Sequence, residues 1–335
     1  MRLEKDQVRF IGGVRHGRTL GSPVAIEIEN TEWPKWSKEM APEPGQPESP
    51  LRQPRPGHAD LAGMQKYGFD DARDVLERAS ARETAARVAA GCLAKALLAR
   101  VGIGIVSHVV AMGDVRAGPD HARPGLDDLE AVDANEVRCF DADLGRAMVE
   151  AIKDAARDGD SLGGVLEVVA YGVPVGLGSH VHWDRRIDAR VAQALMSIQA
   201  MKAVEIGDGL DIAARRGSEA HDAITWSEAE GYRRHTDRAG GIEGGMTTGE
   251  PVIARVAMKP LATLNRPVLR TVDVETKAEA VSFKERTDVT AVPAAGVVAE
   301  TMLALVLADE VLRKFGGDSV DELLRNHGAY LAALS

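Results

Sequence analysis

The residues best suited to chemistry form a short motif, Arg-Pro-Gly-His-Ala-Asp, which runs from Arg55 to Asp60. Its proline and glycine restrict the backbone directly before an ionisable ring. Histidine is the side chain that exchanges a proton most readily at neutral pH, so His58 is a candidate general acid or base. The alternative, a loop histidine without a chemical role, stays open on local sequence alone.

The charge of the chain argues against a nucleic-acid partner. The formal net charge is −10, whereas proteins that bind nucleic acids through their phosphates carry excess positive charge. Arginine is nevertheless concentrated around Arg52 to Arg87 and again around Arg266 to Arg286. Arginine clusters in an acidic protein suit a small anionic ligand that is held by bidentate hydrogen bonds. The alternative is solvated surface charge.

A second candidate site is a helical stretch with two arginines four residues apart, Arg78 and Arg82. We expect them on one face near a helix N-terminus, where backbone amides and the helix dipole favour anions. The alternative is pairing with Glu77 and Glu83 on a solvated face.

Further candidates lie in the second half of the chain. Five glycines between Gly240 and Gly249 allow a ligand to approach the backbone closely, although the spacing fits neither a phosphate-binding Walker loop nor GxGxxG. Lys259 and Arg286 add positive charge, and Asp288 adds a carboxylate that can act as a base. The alternative is a set of ordinary turns.

No metal site is predicted. Cys92 and Cys139 do not form a CxxC pair, and two cysteines are too few for a disulfide framework. His180 and His182 would share one face of a strand, but only Asp184 lies nearby to complete a zinc site.

The elements that must position these residues mix helices and strands without regular alternation, which predicts an α+β fold. The proline-rich stretch Ala41 to Gly57 excludes a helix or central strand there. Strands are predicted at Val8–Ile11, Val24–Ile28, Ile103–Met112, Val165–Tyr171, Val252–Met258 and Val268–Val274. Helices are predicted at Asp74–Arg100 with an Asp74/Glu77 capping box, Leu144–Arg157, Asp188–Ala203, Gly296–Phe315, and after Ser319 with a Ser319/Glu322 capping box.

Nothing in the sequence predicts a membrane segment or a signal peptide. No apolar run reaches the ~18 residues that a membrane-spanning helix needs. The first residues lack the apolar stretch of a secretory signal. We therefore expect a cytoplasmic location without a membrane partner.

Taken in order, the motifs resemble the chorismate synthase family over almost the whole chain. The resemblance is carried by these stretches: GVRHGRTLGSPVAIEIENTEW, RPGHADLAGMQKYGFDDARDVLERASARETAARVAAG, GDSLGGVLEVVAYGVPVGLGS, SIQAMKAVEIGDG, RAGGIEGGMTTGEP, KPLAT and RTDVTAVPAAGVVAE. It implies a single domain over residues 1–335 in which antiparallel sheets form a sandwich around helices. One departure is Asp237, which stands where the family has asparagine.

The resemblance also implies a reaction, the conversion of 5-enolpyruvylshikimate 3-phosphate to chorismate and phosphate by a 1,4-anti elimination that requires reduced FMN. It implies proton-transfer roles for His58 and Asp288, and substrate binding by Arg55, Arg82 and Arg286. The positions that match FMN contacts of the family are Arg78, Ala79, Ser80, Gln199, Ala200, Gly244, Lys259, Pro260, Leu261, Ala262, Thr263 and Arg286.

Assembly and flavin supply are implied in the same way. The family resemblance suggests a homotetramer, an external flavin reductant or reductase, and a link to NADP. The family's N-terminal Gly-Glu-Ser-His-Gly segment does not occur in this sequence, so we expect a truncated product or a gene model begun at a later methionine. The alternative function is a weakly active or inactive paralogue that binds FMN or a phosphate ligand.

Overall fold

The computed structural model describes residues 7–79, 83–283 and 287–334. The chain divides into two compact units, each built from two stretches of sequence. The first unit comprises Met1–Ala90 and Ala262–Thr287, and the second comprises Gly91–Leu261 and Asp288–Ser335. One domain of a protein family can contain two compact units, so the single domain over 1–335 stays a prediction.

The described strands are numbered along the chain. They are β1 Val8–Gly12, β2 Val14–Arg15, β3 Arg18–Thr19, β4 Ala25–Ile28, β5 Gly104–Met112, β6 Val115–Arg116, β7 Gly164–Tyr171, β8 Met201–Ile206, β9 Ile224–Ser227, β10 Gly231–Arg234, β11 Ile242–Glu243, β12 Met246–Thr247, β13 Val252–Met258, β14 Arg270–Val272 and β15 Glu279–Val281.

The described α-helices are numbered in the same way. They are α1 Trp33–Trp36, α2 Asp60–Tyr67, α3 Arg73–Ala79, α4 Glu83–Arg100, α5 Leu129–Ala134, α6 Ala142–Asp158, α7 Ile187–Met196, α8 Gly217–Ala220, α9 Val292–Phe315 and α10 Val320–Ala332. No described helix combines the length and apolar composition that crossing a membrane requires.

Short antiparallel ribbons make up the sheets of the first unit. β1 pairs with β4, β2 with β3, and β14 with β15. The loop before α2 is tied to the β14–β15 ribbon, because the Val274 amide donates to the Arg52 carbonyl and the Thr271 hydroxyl donates to the Pro54 carbonyl. This arrangement fixes the segment that leads into the Arg55–Asp60 motif.

The second unit is built on a five-stranded sheet in the order β6-β5-β7-β13-β8. Every neighbouring pair in it is antiparallel. β5, β7 and β13 are almost entirely buried, which explains their near-continuous apolar sequences. Val106, Val169 and Ile253 pack together on one face of the sheet as a fully buried cluster.

Helix α9 packs against β5 and β7 and is buried along most of its length. Its Glu300 carboxylate accepts hydrogen bonds from the Ser107 amide and hydroxyl, from Arg138 and from Lys95. These donors lie on β5, on a loop and on α4. A buried carboxylate needs such partners to remain charged, so Glu300 fixes the position of α9 relative to the sheet.

The structure confirms the α+β class and most of the predicted elements. Helix α6 begins at Ala142, where the Asp141 side chain accepts from two amides of the first turn. Helix α9 ends at Phe315 before Gly316, as predicted, and α10 has the predicted Ser319/Glu322 capping box. The proline-rich stretch from residue 41 to 57 contains neither helix nor strand.

The helix predicted from about Asp74 to Arg100 is confirmed in its described parts, but its predicted Asp74/Glu77 capping box is wrong. Helix α3 already begins at Arg73 and its described part ends at Ala79, and α4 begins at Glu83. Asp74 therefore lies inside the first turn and is not the capping residue. Ahead of the helix, the Asp71 carboxylate accepts a hydrogen bond from the Arg73 amide at 2.8 Å.

The helix predicted over Asp188–Ala203 is wrong in its second half. Helix α7 ends at Met196, and the chain continues as strand β8 from Met201. Ala200 lies between them with a left-handed backbone, φ +67°. Pairing of β8 with β13 satisfies backbone groups that an extended helix would have to satisfy alone, so tertiary structure overrides the alanine-rich helical pattern.

Gly91 on α4 provides the first test of this packing. A Cβ atom at Gly91 would lie 2.3 Å from the Thr301 Cβ on α9. We expect Gly91→Ala to lower the free energy of unfolding by about 1–3 kcal/mol through overpacking, despite the better helix propensity of alanine.

The matched control is Gly328→Ala on α10, where an added Cβ would contact nothing within 4 Å. This variant should be stabilised by up to about 1 kcal/mol. Urea unfolding of both variants measures the difference. Equal stability of the two would contradict the close contact between α4 and α9.

Candidate functional site

The Arg55–Asp60 motif forms a tight loop that runs into α2. Gly57 has φ +76°, a conformation that favours glycine, and the His58 amide donates to the Arg55 carbonyl at 3.3 Å. Asp60 is the first residue of the helix. The loop therefore brings the side chains of Arg55, His58 and Asp60 together.

The Asp60 carboxylate is the centre of this group and has no exposed surface. Its Oδ2 accepts from the Arg55 amide at 3.0 Å and from Arg55 Nε at 2.9 Å. Its Oδ1 accepts from Arg55 Nη2 at 3.1 Å and is hydrogen-bonded to His58 Nδ1. Burial alone would raise the pKa of Asp60, but the hydrogen bonds from His58 and Arg55 hold it well below the usual range of a carboxyl group.

Arg55 is buried, with hydrogen-bond partners along the edge of its guanidinium group and an aromatic ring near its guanidinium carbon. Besides Asp60, its Nη1 donates to the Thr263 hydroxyl at 2.9 Å. The guanidinium carbon lies 5.1 Å from the centre of the Phe283 ring. The structure thus brings together three predicted site residues, Arg55, His58 and Thr263, and adds Asp60, to which the sequence analysis gave no role.

An open cleft of about 640 Å³ lies beside this group within the same unit. His58 lines it, with a side chain that remains one-fifth exposed. Arg270 and Glu279 line it from the β14–β15 ribbon. The histidine can therefore reach a ligand in the cleft, whereas the Asp60 behind it is closed off from solvent.

One of the two arginines predicted near a helix N-terminus lies in the described part of the chain. Arg78 is on α3, which begins at Arg73, and its exposed side chain contacts Glu83 at 3.7 Å. The shared anion-binding face of Arg78 and Arg82 stays a prediction. Ala79 follows Arg78, while Ser80, Arg82 and Arg286 lie outside the described residues.

In the second unit the structure joins two predicted FMN positions. The Lys259 amide, directly after β13, donates to the Ala200 carbonyl at 3.0 Å. Gln199 precedes Ala200 in the same turn. Burial, together with the positive charge of Lys202, lowers the pKa of the Lys259 ammonium group. The positive charges of Lys259 and Lys202 repel each other, and a bound anion would reduce this repulsion.

The segment after Lys259 is held against the entry to β7. The Ser161 hydroxyl donates to the Leu261 carbonyl at 2.8 Å, and a Cβ at Gly163 would lie 2.9 Å from the Pro260 nitrogen. Ala262 and Thr263 follow in the other unit. The predicted positions Lys259 to Leu261 thus have a fixed backbone within the second unit.

Two further predicted residues lie in the second unit. Gly244 is at the turn between β11 and β12 with φ +58°, and a Cβ there would meet no atom within 4 Å. Asp288 is exposed ahead of α9, and the carbonyl of the next residue, Val289, accepts from the Leu162 amide at 2.8 Å. Open space at Gly244 leaves room for a ligand beside the backbone.

A buried ionic group on the central sheet was not predicted from the sequence. Glu167, in the middle of β7, has no exposed surface and pairs across the sheet with His108 and Arg255. Its Oε2 accepts from Arg255 Nε at 2.9 Å, and its Oε1 accepts from Arg123 Nε at 2.8 Å. Arg123 also donates to Asp237 at 2.7 Å, at the position where the family sequence departs. A single acidic residue inside the apolar run VLEVVAY was the available signal.

Two histidines complete this group, with His108 Nε2 at 3.3 Å and His121 Nε2 at 3.4 Å from Glu167 Oε1. The three side chains bring donor atoms within 4.8 Å of one another, a spacing that could hold a metal ion. Both oxygens of Glu167 already accept from guanidinium groups, however, and a cation there would be repelled by Arg123 and Arg255. The arrangement favours an ion-pair network.

The electrostatics of Glu167 follow from these partners. Burial alone would raise the pKa of Glu167, but hydrogen bonds from His108 and His121 and the charge of Arg123 hold it far below the usual range. Burial lowers the pKa of His108, with Glu167 acting in the opposite direction. These partners favour the ionised form of Glu167.

Similar proteins show that the chain belongs to a class of enzymes that act on a small molecule. A family model described as "Chorismate synthase" matches residues 1–312. The chain belongs to the chorismate synthase family, whose members are lyases of the shikimate pathway. The predicted family and enzyme class are confirmed.

Relatives and a solved structure give the extent of the similarity. The chain is 60% identical to a chorismate synthase of Thermobifida fusca over 343 aligned positions, which cover 100% of this chain and 87% of the relative. It is 59% identical to that of Streptomyces coelicolor, covering 99% and 86%. A crystal structure of chorismate synthase matches with a TM-score of 0.79 and 41% identity, covering 98% of this chain and 85% of the other.

Glu167→Gln provides a test of the buried network. The substitution keeps the shape but removes the charge that compensates Arg123 and Arg255, so we expect a loss of about 3–5 kcal/mol in unfolding free energy at pH 7. A carboxylate with a lowered pKa stabilises the fold above its unfolded pKa of roughly 4.4, and this stabilisation is lost as the pH falls further. The difference between the variant and the parent should therefore narrow below about pH 4.

Glu150→Gln is the matched control, because it makes the same chemical change in an exposed pair with Lys153 on α6. It should leave the free energy of unfolding almost unchanged. Denaturant unfolding from pH 8 down to about pH 2 measures both variants. Similar behaviour of the two would show that Glu167 does not hold the arginines.

Proposed function

We propose that this chain is an active chorismate synthase, which converts 5-enolpyruvylshikimate 3-phosphate to chorismate and phosphate by 1,4-anti elimination with reduced FMN. The observation that carries the proposal is the Arg55–His58–Asp60 group. It combines a proton-exchanging ring at an open cleft with a buried guanidinium group, in the motif that is most characteristic of the family.

The substrate carries a phosphate and two carboxylates, so its recognition requires several cationic groups. Arg55, Arg82 and Arg286 are the arginines proposed for this role. The hydrogen bonds of Arg55 to Asp60 and Thr263 support it, because they hold the guanidinium group in one orientation before a ligand arrives. Such preorganised charge also stabilises the phosphate as it leaves.

The residues of the second unit fit the binding of FMN. Lys259, with its lowered pKa beside Lys202, suits an anionic phosphate group, and the open space at Gly244 suits close approach of a ligand to the backbone. Reduced FMN, when bound, supplies an electron-rich ring that promotes loss of the substrate phosphate and is not consumed overall. The remaining proposed FMN positions are Arg78, Ala79, Ser80, Gln199, Ala200, Pro260, Leu261, Ala262, Thr263 and Arg286.

Two residues are proposed to move protons. His58 exchanges a proton at Nε2, the ring nitrogen that Asp60 does not occupy. Asp288 would assist bound FMN in taking the proton from the substrate ring methylene. The hydrogen bond from the Leu162 amide to the Val289 carbonyl, which holds the backbone next to Asp288, supports this role.

Assembly and location are proposed from the family. We propose a homotetramer in the cytoplasm, supplied with reduced flavin by an external reductant or an NADP-linked reductase. The exposed aromatic side chains of Trp226 and Tyr232 on the β9–β10 ribbon support an oligomer, because large exposed aromatic surfaces favour protein contacts.

Turnover by the purified chain tests the function. Under anaerobic conditions with photoreduced FMN, addition of 5-enolpyruvylshikimate 3-phosphate should release chorismate and phosphate in equal amounts. We expect His58→Ala to lower kcat by about 100-fold or more, because a general acid–base group is lost. His221→Ala, which replaces an exposed histidine elsewhere, should leave turnover unchanged.

Flavin binding is measured in the same preparations. A change in the spectrum of reduced FMN that depends on substrate, without release of chorismate, would replace the proposal with an inactive FMN-binding paralogue. Absence of any spectral change would contradict both functions.

A further inference from the structure

We propose that Asp60 is a positioning residue for His58, which fixes the ring proton on Nδ1 and presents Nε2 to the cleft. The proposal rests on the proposed function of His58. Its evidence is the position of a fully buried carboxylate directly behind the ring.

The carboxylate is itself held rigidly. Two donors of Arg55, the amide and Nε, occupy Oδ2, and Arg55 Nη2 reaches Oδ1. Rotation of the Asp60 side chain would break these hydrogen bonds inside the protein, where water cannot replace them. The orientation of the carboxylate therefore determines the orientation of the imidazole ring that is bonded to it.

The protonation state of Asp60 determines the tautomer of His58. An ionised carboxylate can only accept hydrogen bonds, so the proton between Oδ1 and Nδ1 belongs to the histidine. The pKa of Asp60, held low by its partners, supports the ionised form. A neutral His58 then has its lone pair on Nε2, which is the nitrogen available for proton exchange with a ligand.

The charged groups around His58 explain why a carboxylate is needed. Arg55 Nη2 lies 3.1 Å from Nδ1 and 3.4 Å from Nε2, and Arg270 and Glu279 face the same cleft. A second proton on the ring would be repelled by the adjacent guanidinium group. The negative charge of Asp60, in direct contact with the ring, offsets this repulsion.

Capping of helix α2 does not explain the hydrogen bonds of the Asp60 carboxylate. Asp60 is the first residue of α2, yet its described hydrogen bonds come from Arg55 and His58 and not from the amides of its own helix. The carboxylate points back into the loop. A role in positioning the loop side chains explains this direction.

The kinetic test is Asp60→Asn, which keeps the size of the side chain but removes its charge and its acceptor-only character. With photoreduced FMN and the shikimate substrate, we expect kcat to fall by about 10- to 100-fold. The alkaline limb of the pH–rate profile should move to lower pH, because a neutral amide no longer favours the protonated ring. An unchanged profile would overturn the proposal.

Thr263→Val is the matched control for Arg55. It removes the hydrogen bond from Arg55 Nη1 and leaves the contact between His58 and Asp60 in place. We expect a higher KM for the substrate with the pH–rate profile unchanged. A shift of the profile equal to that of Asp60→Asn would assign the effect to Arg55 and overturn the role of Asp60.

A double variant separates positioning from a general structural role. In a His58→Ala background, Asp60→Asn should cause no further loss of kcat, because the ring on which Asp60 acts is absent. A further loss by the same factor as in the parent would show that Asp60 acts independently of His58, against the proposal.

The tautomer is measured without any substitution at Asp60. In protein labelled with ¹⁵N-histidine, the His58 signals are assigned by their loss in His58→Ala. At a pH where the ring is neutral, the proton should be on Nδ1. A proton on Nε2 would overturn the proposal whether or not the chain is active. A proton on Nδ1 in a chain that forms no chorismate would overturn the proposed function and support the positioning of His58.

Discussion

Glu167 lies in the middle of the five-stranded sheet without contact with water, and its negative charge has to be balanced within the protein. The positive charges of Arg255 on β13 and of Arg123 in the loop after β6 balance it. A shift of one residue in the pairing of β7 with β13 would turn the two side chains to opposite faces and leave two buried charges uncompensated. The same constraint operates around Asp60 in the first unit. Each unit is therefore organised by a buried carboxylate whose partners are fixed by charge.

The fold was predictable where the burial or the end of an element determines which residues occur within that element. We predicted β5, β7 and β13 correctly because buried strands have continuous apolar sequences. We predicted the end of α9 correctly because a glycine follows Phe315, and glycine is the usual residue after the last turn of a helix. The predicted helix through Ala200 failed for the opposite reason. Alanine and methionine favour a helix locally, but the backbone of β8 finds its hydrogen bonds on β13, some 50 residues later. No local pattern reveals such a partner.

Several individual residues of the site were predictable from the sequence, but the contacts between them were not. Proline and glycine around His58 marked an unusual loop, and the resemblance to a family gave that loop a role. The proposed role of Asp60 depends on its burial and on its contacts with Arg55. Neither of these can be predicted from the sequence of the motif. The Glu167 network was missed because its members are far apart in sequence. His108 and Arg255, for example, approach Glu167 from 59 and 88 residues away.

The discontinuous make-up of the two units affects how the protein can be made on the ribosome. Ser107 meets Glu300 across 193 residues, and Arg55 meets Thr263 across 208. At translation rates of ~5–20 residues per second, a nascent chain waits about 10–40 s between the synthesis of β5 and the arrival of the carboxylate of α9. Throughout that interval the apolar face of the sheet that α9 will cover is open to chaperones and to neighbouring nascent chains.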